Sequence, residues 1–198
     1  MKKIETIWHR ILWFVLEKRI FKFTQKEITE YFRYSSSTVN LAVKQLALIG
    51  AIDIKGKFFI VRDAKKILYY WATHRNLQKN IIYQTFINLP IQEIEGLITP
   101  EAIIGGYTAG KYILGESPSD YSKIYFYVDE KNIEKVKNRF PKSNQNPNLF
   151  ILDTYSKQFE YGNITSLPQT FVDIWNMNDW YANDFLQELE RKIDNVLP

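Results

Sequence analysis

The stretch from Thr24 to Val61 constrains the fold more than any other part of the chain, because it carries two helix starts, a helix stop and a hairpin in a fixed order. Thr24-Gln25-Lys26-Glu27 reads as a capping box: the threonine side chain accepts a first-turn amide and Glu27 reaches back to the threonine's own amide. It opens a short helix with Ile28, Tyr31 and Phe32 inward. Ser35, Ser36, Ser37 and Thr38 open the next one, since a serine cap satisfies orphan amides just ahead of the apolar positions Val39, Val43 and Leu46. Gly50 ends it, because a glycine past the last turn takes positive φ at no steric cost. Ile52 and Ile54 then alternate, Lys55-Gly56-Lys57 follows, and Phe58 to Val61 completes a β-hairpin with a basic tip. Ahead of the capping box, Ile7, Trp8, Ile11, Leu12, Val15 and Leu16 fall at helical spacing as far as about Arg19. Trp13 and Phe14 lie off that stripe, and homodimerisation through this helix is one way to bury them.

Charge is distributed unevenly. Residues 1–75 hold fifteen Lys and Arg against six Asp and Glu, whereas the rest of the chain holds eleven against sixteen. A basic first part joined to an acidic second part points to a polyanion as partner of the first and something else as partner of the second. On the helix that follows Ser35, Val39, Ala42, Val43 and Leu46 share one face, so Ser37, Asn40, Leu41 and Lys44 point the other way.

Helix, short helix, serine-rich turn, helix, glycine and hairpin is the order of a winged helix-turn-helix. The runs Thr-Gln-Lys-Glu-Ile-Thr-Glu-Tyr-Phe, Ser-Ser-Ser-Thr-Val-Asn and Val-Lys-Gln-Leu-Ala-Leu-Ile-Gly-Ala-Ile together resemble prokaryotic winged-helix transcription regulators over about residues 4 to 62. The resemblance implies that the helix starting near Ser36 enters the major groove of double-stranded DNA while the hairpin touches backbone or minor groove. Ser36, Ser37, Asn40 and Lys44 would then face DNA, with Asn40 placed to pair with adenine and Lys44 to reach a phosphate or guanine. Lys55 and Lys57 would hold the hairpin to phosphate, and Lys22 and Lys26 would reach the flanking backbone. Winged helices also serve as protein-docking modules, which is the alternative for this half.

Several classes of chemistry fall away on composition. With no cysteine, disulfide scaffolds, thiolate metal sites and cysteine nucleophiles are excluded, and two histidines as distant as His9 and His74 do not make a metal site. No cofactor is expected. The apolar run Ile11 to Leu16 is cut by Glu17, Lys18 and Arg19, far short of the roughly 20 residues a membrane span needs. Glu5, His9 and Arg10 interrupt any signal-peptide core, so the expectation is a cytoplasmic protein.

After the winged helix, expected over 1–76, Asp63 caps a further helix with Ile67, Leu68 and Trp71 inward, and the pattern runs on through Ile81, Ile82, Tyr83 and Phe86. Residues 77–90 are accordingly read as a connecting helix or linker that stops before Pro90. Residues 91–198 are expected to form a small mixed domain, giving the chain an α+β class. A helix spans Pro100 to Leu114, interrupted or preceded by Gly105-Gly106. Lys123 to Val128 and Leu149 to Asp153 read as strands, and Ile133 to Arg139 as a short helix. Leu167 opens a helix through Trp175, and Asp179 starts a terminal helix to about Asp194. Trp175, Trp180, Tyr181 and Phe185 read either as a partner-binding surface or as core; core is the expectation, because Phe171, Ile174 and Trp175 fall at helical spacing, as do Tyr181, Phe185 and Leu189. Outward acids such as Glu188 and Glu190 would face a basic partner or simply keep the surface solvated.

The runs Gly-Gly-Tyr-Thr-Ala-Gly-Lys-Tyr-Ile-Leu-Gly, Lys-Ile-Tyr-Phe-Tyr-Val-Asp and Leu-Pro-Gln-Thr-Phe-Val-Asp-Ile-Trp-Asn, with Trp-Tyr-Ala-Asn-Asp-Phe-Leu, resemble the C-terminal part of AbiEi-type antitoxins of abortive-infection systems. That resemblance implies a winged helix joined to a nucleotidyltransferase-like domain, an autorepressor on DNA and a protein toxin as partner. Active nucleotidyltransferases pair a Gly-Gly or Gly-Ser turn with a strand bearing two carboxylates, which hold two metal ions. Gly105 and Gly106 match the turn, but the strand from Lys123 carries no such pair, and Asp129 and Asp153 are single acids after strands. They count as vestigial nucleotide-site candidates, and no catalysis is expected. The competing readings are a metal-dependent nucleotidyltransferase that holds nucleic acid with its winged helix, and a protein-interaction adaptor.

Overall fold

In the computed structural model, which describes residues 1–155 and 157–197, the local start signals of the first third are all used. Helix α1 (Lys3–Lys18) buries Ile7, Trp8, Ile11, Leu12, Val15 and Leu16. Thr24 Oγ1 accepts from the Glu27 amide at 3.2 Å and Glu27 Oε2 accepts from the Thr24 amide at 3.0 Å, which starts α2 (Gln25–Phe32). Ser35 Oγ accepts from the Thr38 amide at 3.3 Å and starts α3 (Ser36–Leu48), and Gly50 follows at φ +68°. Asp63 caps α4 (Ala64–His74) by accepting from the Lys66 amide at 2.9 Å.

Strand β1 (Lys22–Phe23) adds to the hairpin of β2 (Ile52–Lys55) and β3 (Phe58–Val61) to give an antiparallel sheet in the order β1-β3-β2. Lys55 pairs with Phe58, so the hairpin loop is Gly56 and Lys57 alone, and Gly56 takes φ +62°. Positive φ at the first loop position is what a type II′ turn demands. Side-chain bonds tie α1 to α3 and to α4. Trp8 Nε1 donates to the Ala42 carbonyl at 3.2 Å, and Trp71 Nε1 donates to Glu5 Oε2 at 3.2 Å. The same carboxylate lies 3.6 Å from the Arg75 guanidinium, a buried pair that keeps either charge from standing alone in the core. Phe14, expected to lie outside the core stripe, packs against Phe23 of β1 with centroids 6.1 Å apart, and Trp13 packs edge-on against Phe14. Strand β1 is the partner that sequence spacing does not reveal.

The chain divides into two compact units, Met1–Arg75 with the residues from Ile193 on, and Asn76–Lys192. The helix expected to continue to Phe86 stops at His74. Asn76 caps a 3-10 turn, Leu77–Asn80, by accepting from the Lys79 amide at 3.2 Å, and β4 (Ile81–Thr85) follows. Residues 77–85 are therefore part of the second unit's secondary structure and not a connecting helix. Ile81, Ile82 and Tyr83 suit strand as well as helix, and β7 supplies the pairing that decides.

The second unit has a four-stranded sheet in the order β4-β7-β6-β5, formed with β5 (Ile103–Gly105), β6 (Ile124–Val128) and β7 (Leu149–Asp153). β6 and β7 run parallel and the other two pairings are antiparallel. Residues 103–105, expected at the start of a helix, pair with β6 instead, and helix begins only at Gly106. Ile94, Phe126, Val136, Phe140 and Ile151 form the core on one face, beneath α5 (Ile91–Gly96) and α7 (Ile133–Arg139). Tyr125 and Tyr127 of β6 face the other way, where Tyr127 donates to Asp173 Oδ2 at 2.5 Å. That side carries α6 (Gly106–Leu114), α8 (Leu167–Trp175) and α9 (Ala182–Val196). Tyr181 and Phe185 are core there, as expected. Trp175 and Trp180 are not: they are 43% and 78% exposed, Trp175 as the last residue of α8 and Trp180 in the turn ahead of α9, which starts only at Ala182, while Phe171, Ile174 and Tyr181 take the inward positions. The elements make an α+β chain, and among the described residues no helix is long and apolar enough to cross a membrane.

Candidate nucleic-acid interface

Helix α3 shows its buried line, Val39, Ala42, Val43 and Leu46, to the core with no exposure at all. At about 100° per residue, Ser37, Leu41, Lys44 and Leu48 fall within about 60° of arc on the opposite side, and all four are exposed. The helix start is tightly organised: Ser35 Oγ is 2.9 Å from both Ser37 Oγ and Thr38 Oγ1. Ser36 is exposed in the same first turn. Asn40 stands about 70° off the outward line and is half-buried, its Nδ2 donating to Gln25 Oε1 of α2 at 3.4 Å. Gln25 is thus a positioning partner for Asn40 that fifteen residues of separation hide from sequence reading. The amide keeps Oδ1 and its second hydrogen for an outside partner.

The lysines form two groups. Lys44 is exposed on α3, while Lys26, on the first turn of α2 beside Gln25, is exposed and 3.8 Å from Glu30. Lys55 and Lys57 are exposed at the hairpin tip. Lys22 on β1 lies over the Phe58 ring of the same sheet, 4.1 Å from its centroid, so its ammonium is held beside the hairpin. Among the described residues no ion pair engages Lys44, Lys55 or Lys57, which leaves their charge available to an anion. Arg33, exposed between α2 and α3, occupies the left-handed region at φ +53°. Arg62 is paired with Asp53 at 2.8 Å and is not free in this way.

The four nucleotide-site candidates of the second unit separate into two pairs. Gly105 pairs with Tyr125 in the β5–β6 register, whereas Asp129 lies beyond the far end of β6, four residues and about 13 Å along the strand. Asp153 is opposite Val128 and so shares the aspartate end. A side chain at Gly105 would stand 3.1 Å from the Tyr127 ring, and one at Gly106, where φ is +56°, 2.9 Å from the Tyr125 ring. The glycine pair therefore lets β5 and α6 close on two tyrosines. Asp129 accepts from the Lys131 amide at 3.2 Å and caps a 3-10 turn. Burial raises the Asp153 carboxyl above its usual range, and the charges of Glu130 and Asp129 push the same way. Among the described residues no group of three or more His, Asp and Glu is placed to hold a metal ion.

Near the glycine pair, Tyr107 donates to Asp179 Oδ2 at 3.0 Å and Lys123 Nζ is 2.5 Å from Asp179 Oδ1. Tyr121 donates to Glu95, which also accepts from Lys111 at 2.9 Å. Burial, reinforced by these carboxylates, raises the Tyr107 and Tyr121 phenols well above their usual range, so both stay protonated. Each charge in this cluster has its partner within the chain. A cleft of about 530 Å³ beside α9 is lined by Glu116, Asp184 and Glu188 with Leu114, Ser117, Pro118 and Gln187, and its acidic wall suits a basic ligand.

The chain matches no protein-family model, no curated protein and no solved structure.

Proposed function

We propose that the first unit is a winged helix-turn-helix that binds double-stranded DNA, and that the protein is a cytoplasmic transcriptional regulator acting by occupancy. The observation that carries this reading is the outward face of α3: a serine-capped helix whose exposed side bears Ser37 and an unpaired Lys44, within residues 1–75, which hold fifteen basic and six acidic residues. Lys55 and Lys57 on a tight two-residue hairpin loop fit a wing against phosphate. The acidic second unit is read as the nucleotidyltransferase-like, catalytically silent half of an antitoxin-like autorepressor, with a protein toxin or another effector as its ligand. Two observations support that part: the separation of the glycine turn from Asp129 and Asp153, and the acidic cleft beside α9. Homodimerisation would place two α3 helices on one duplex and double the readout.

Fluorescence anisotropy of the full chain on a mixed-sequence 30-base-pair duplex, across a salt series, tests the reading. Affinity is expected to fall steeply with salt, and replacing both Lys55 and Lys57 by Ala to lower the log–log slope by about 2, since each phosphate contact contributes about 0.9. Absence of binding at low salt would overturn it.

A further inference from the structure

Leu41 is out of keeping with its helix. It is 50% exposed in the second turn of α3, on a line whose other early members are Ser37 and Lys44, while its neighbours Ala42 and Val43 are fully buried. It contributes little to the core, and its side chain has no hydrogen bond to offer an outside partner. The first turns of a groove-entering helix are the part that reaches base edges. On those edges the thymine C5-methyl is the apolar feature, whereas cytosine and adenine present amino groups that an apolar contact would leave unsatisfied.

We infer that Leu41 reads the C5-methyl group of a thymine in the major groove, and so makes this chain selective for duplexes with thymine at one fixed position. The inference rests on the duplex-DNA reading given above. Ser37 and Lys44, one turn to either side, hold the helix to phosphates, and Leu41 between them supplies the discrimination. Leu48 is more exposed still, at 85%, and on the same line, but it lies seven residues and about 10 Å further along the helix, past the part that enters the groove.

Duplexes are enriched from a randomised 30-base-pair library on the full-length chain, and each enriched thymine is then replaced in turn by deoxyuridine, which removes only the methyl group. One position is expected at which the replacement weakens binding about four-fold, the equivalent of the ~0.8 kcal/mol of one buried methyl. Leu41→Ala is expected to bind the thymine and deoxyuridine duplexes equally, with an unchanged salt slope, and Leu48→Ala to keep the four-fold difference. Salt-dependent binding with no thymine preference, or a preference that survives Leu41→Ala, would overturn the inference and leave the DNA reading standing. Failure to enrich or bind any duplex at low salt would overturn both.

Discussion

His9 lies in the middle of α1 with no exposure to solvent, its ring tilted against Trp71 of α4 with centroids 5.5 Å apart. Burial, with the positive charges of Arg75 and then Arg10 adding to it, pushes its pKa from 6.5 down to about 3. The unfolded chain, by contrast, titrates this residue near its ordinary value of about 6.5. Between the two values the unfolded state binds one more proton than the folded state, so stability rises with pH and is lost as the pH falls below 6.5. From pH 7 to pH 5 the loss amounts to about 2 kcal/mol, at roughly 1.4 kcal/mol for each unit below 6.5. Urea unfolding of the full chain followed by tryptophan emission reads this out. Trp8, Trp13 and Trp71 belong to the first unit, whereas Trp175 and Trp180 are already exposed and change little. His9→Phe keeps an aromatic ring beside Trp71 and removes the titration. The wild-type chain is expected to lose about 2 kcal/mol more than His9→Phe between the two pH values. The carboxylates, Asp153 with its raised pKa among them, are common to both chains and cancel in the difference. Equal losses in the two chains, within about 0.5 kcal/mol, would refute the argument that folding requires a neutral imidazole at this position.

Arg33 adopts φ +53° without being a glycine, so Arg33→Gly is expected to raise the stability of the first unit by about 0.5–1 kcal/mol, the left-handed penalty less the extra freedom glycine gives the unfolded chain. Thermal unfolding checks it, and a lower melting temperature would contradict it. Gly106→Ala meets both a positive φ and the Tyr125 ring at 2.9 Å, whereas Gly115→Ala, at φ +90°, has nothing within 4 Å. The first should cost about 3 kcal/mol or more and the second about 1–2 kcal/mol, as measured by urea unfolding; equal costs would mean that close packing on Tyr125 contributes nothing.

What the sequence makes legible here is whatever is decided within a turn or two of chain. Thr24 with Glu27, Ser35 with Thr38, Asp63 with Lys66 and Gly50 all act on amides or dihedrals three residues away or fewer, and each does what its local pattern implies. Errors begin where a distant partner decides. Ile81 to Thr85 carries an apolar pattern that serves a helix or a strand equally, and only Leu149 to Asp153, more than sixty residues on, makes it strand β4. Lys22 and Phe23 are too few to announce a strand until Phe59 and Ile60 pair with them. Asn40 is legible as a residue off the buried face, but its tie to Gln25, fifteen residues back, is not; the helical pitch sets it off the line on which Leu41 and Lys44 stand, and the tie holds its amide there.

The glycine turn of the second unit carries the same lesson into function. Gly105-Gly106 before a helix is compatible with a phosphate cradle and with close backbone packing, and nothing within the run distinguishes them. The distinction comes from what stands across the gap. Tyr125 and Tyr127 fill the space above the two glycines, while the aspartates that a phosphate-bound metal would need lie at the other end of β6. In the first unit the space outside α3 is left open, and its exposed line alternates hydroxyl, leucine, ammonium and leucine over three turns. A surface that only stays solvated tolerates single leucines such as Leu41 and Leu48 but has no use for them. A surface that lies on a duplex has a use for the first of them, because hydrogen-bonding side chains and lysines hold a helix to phosphates without telling one base from another.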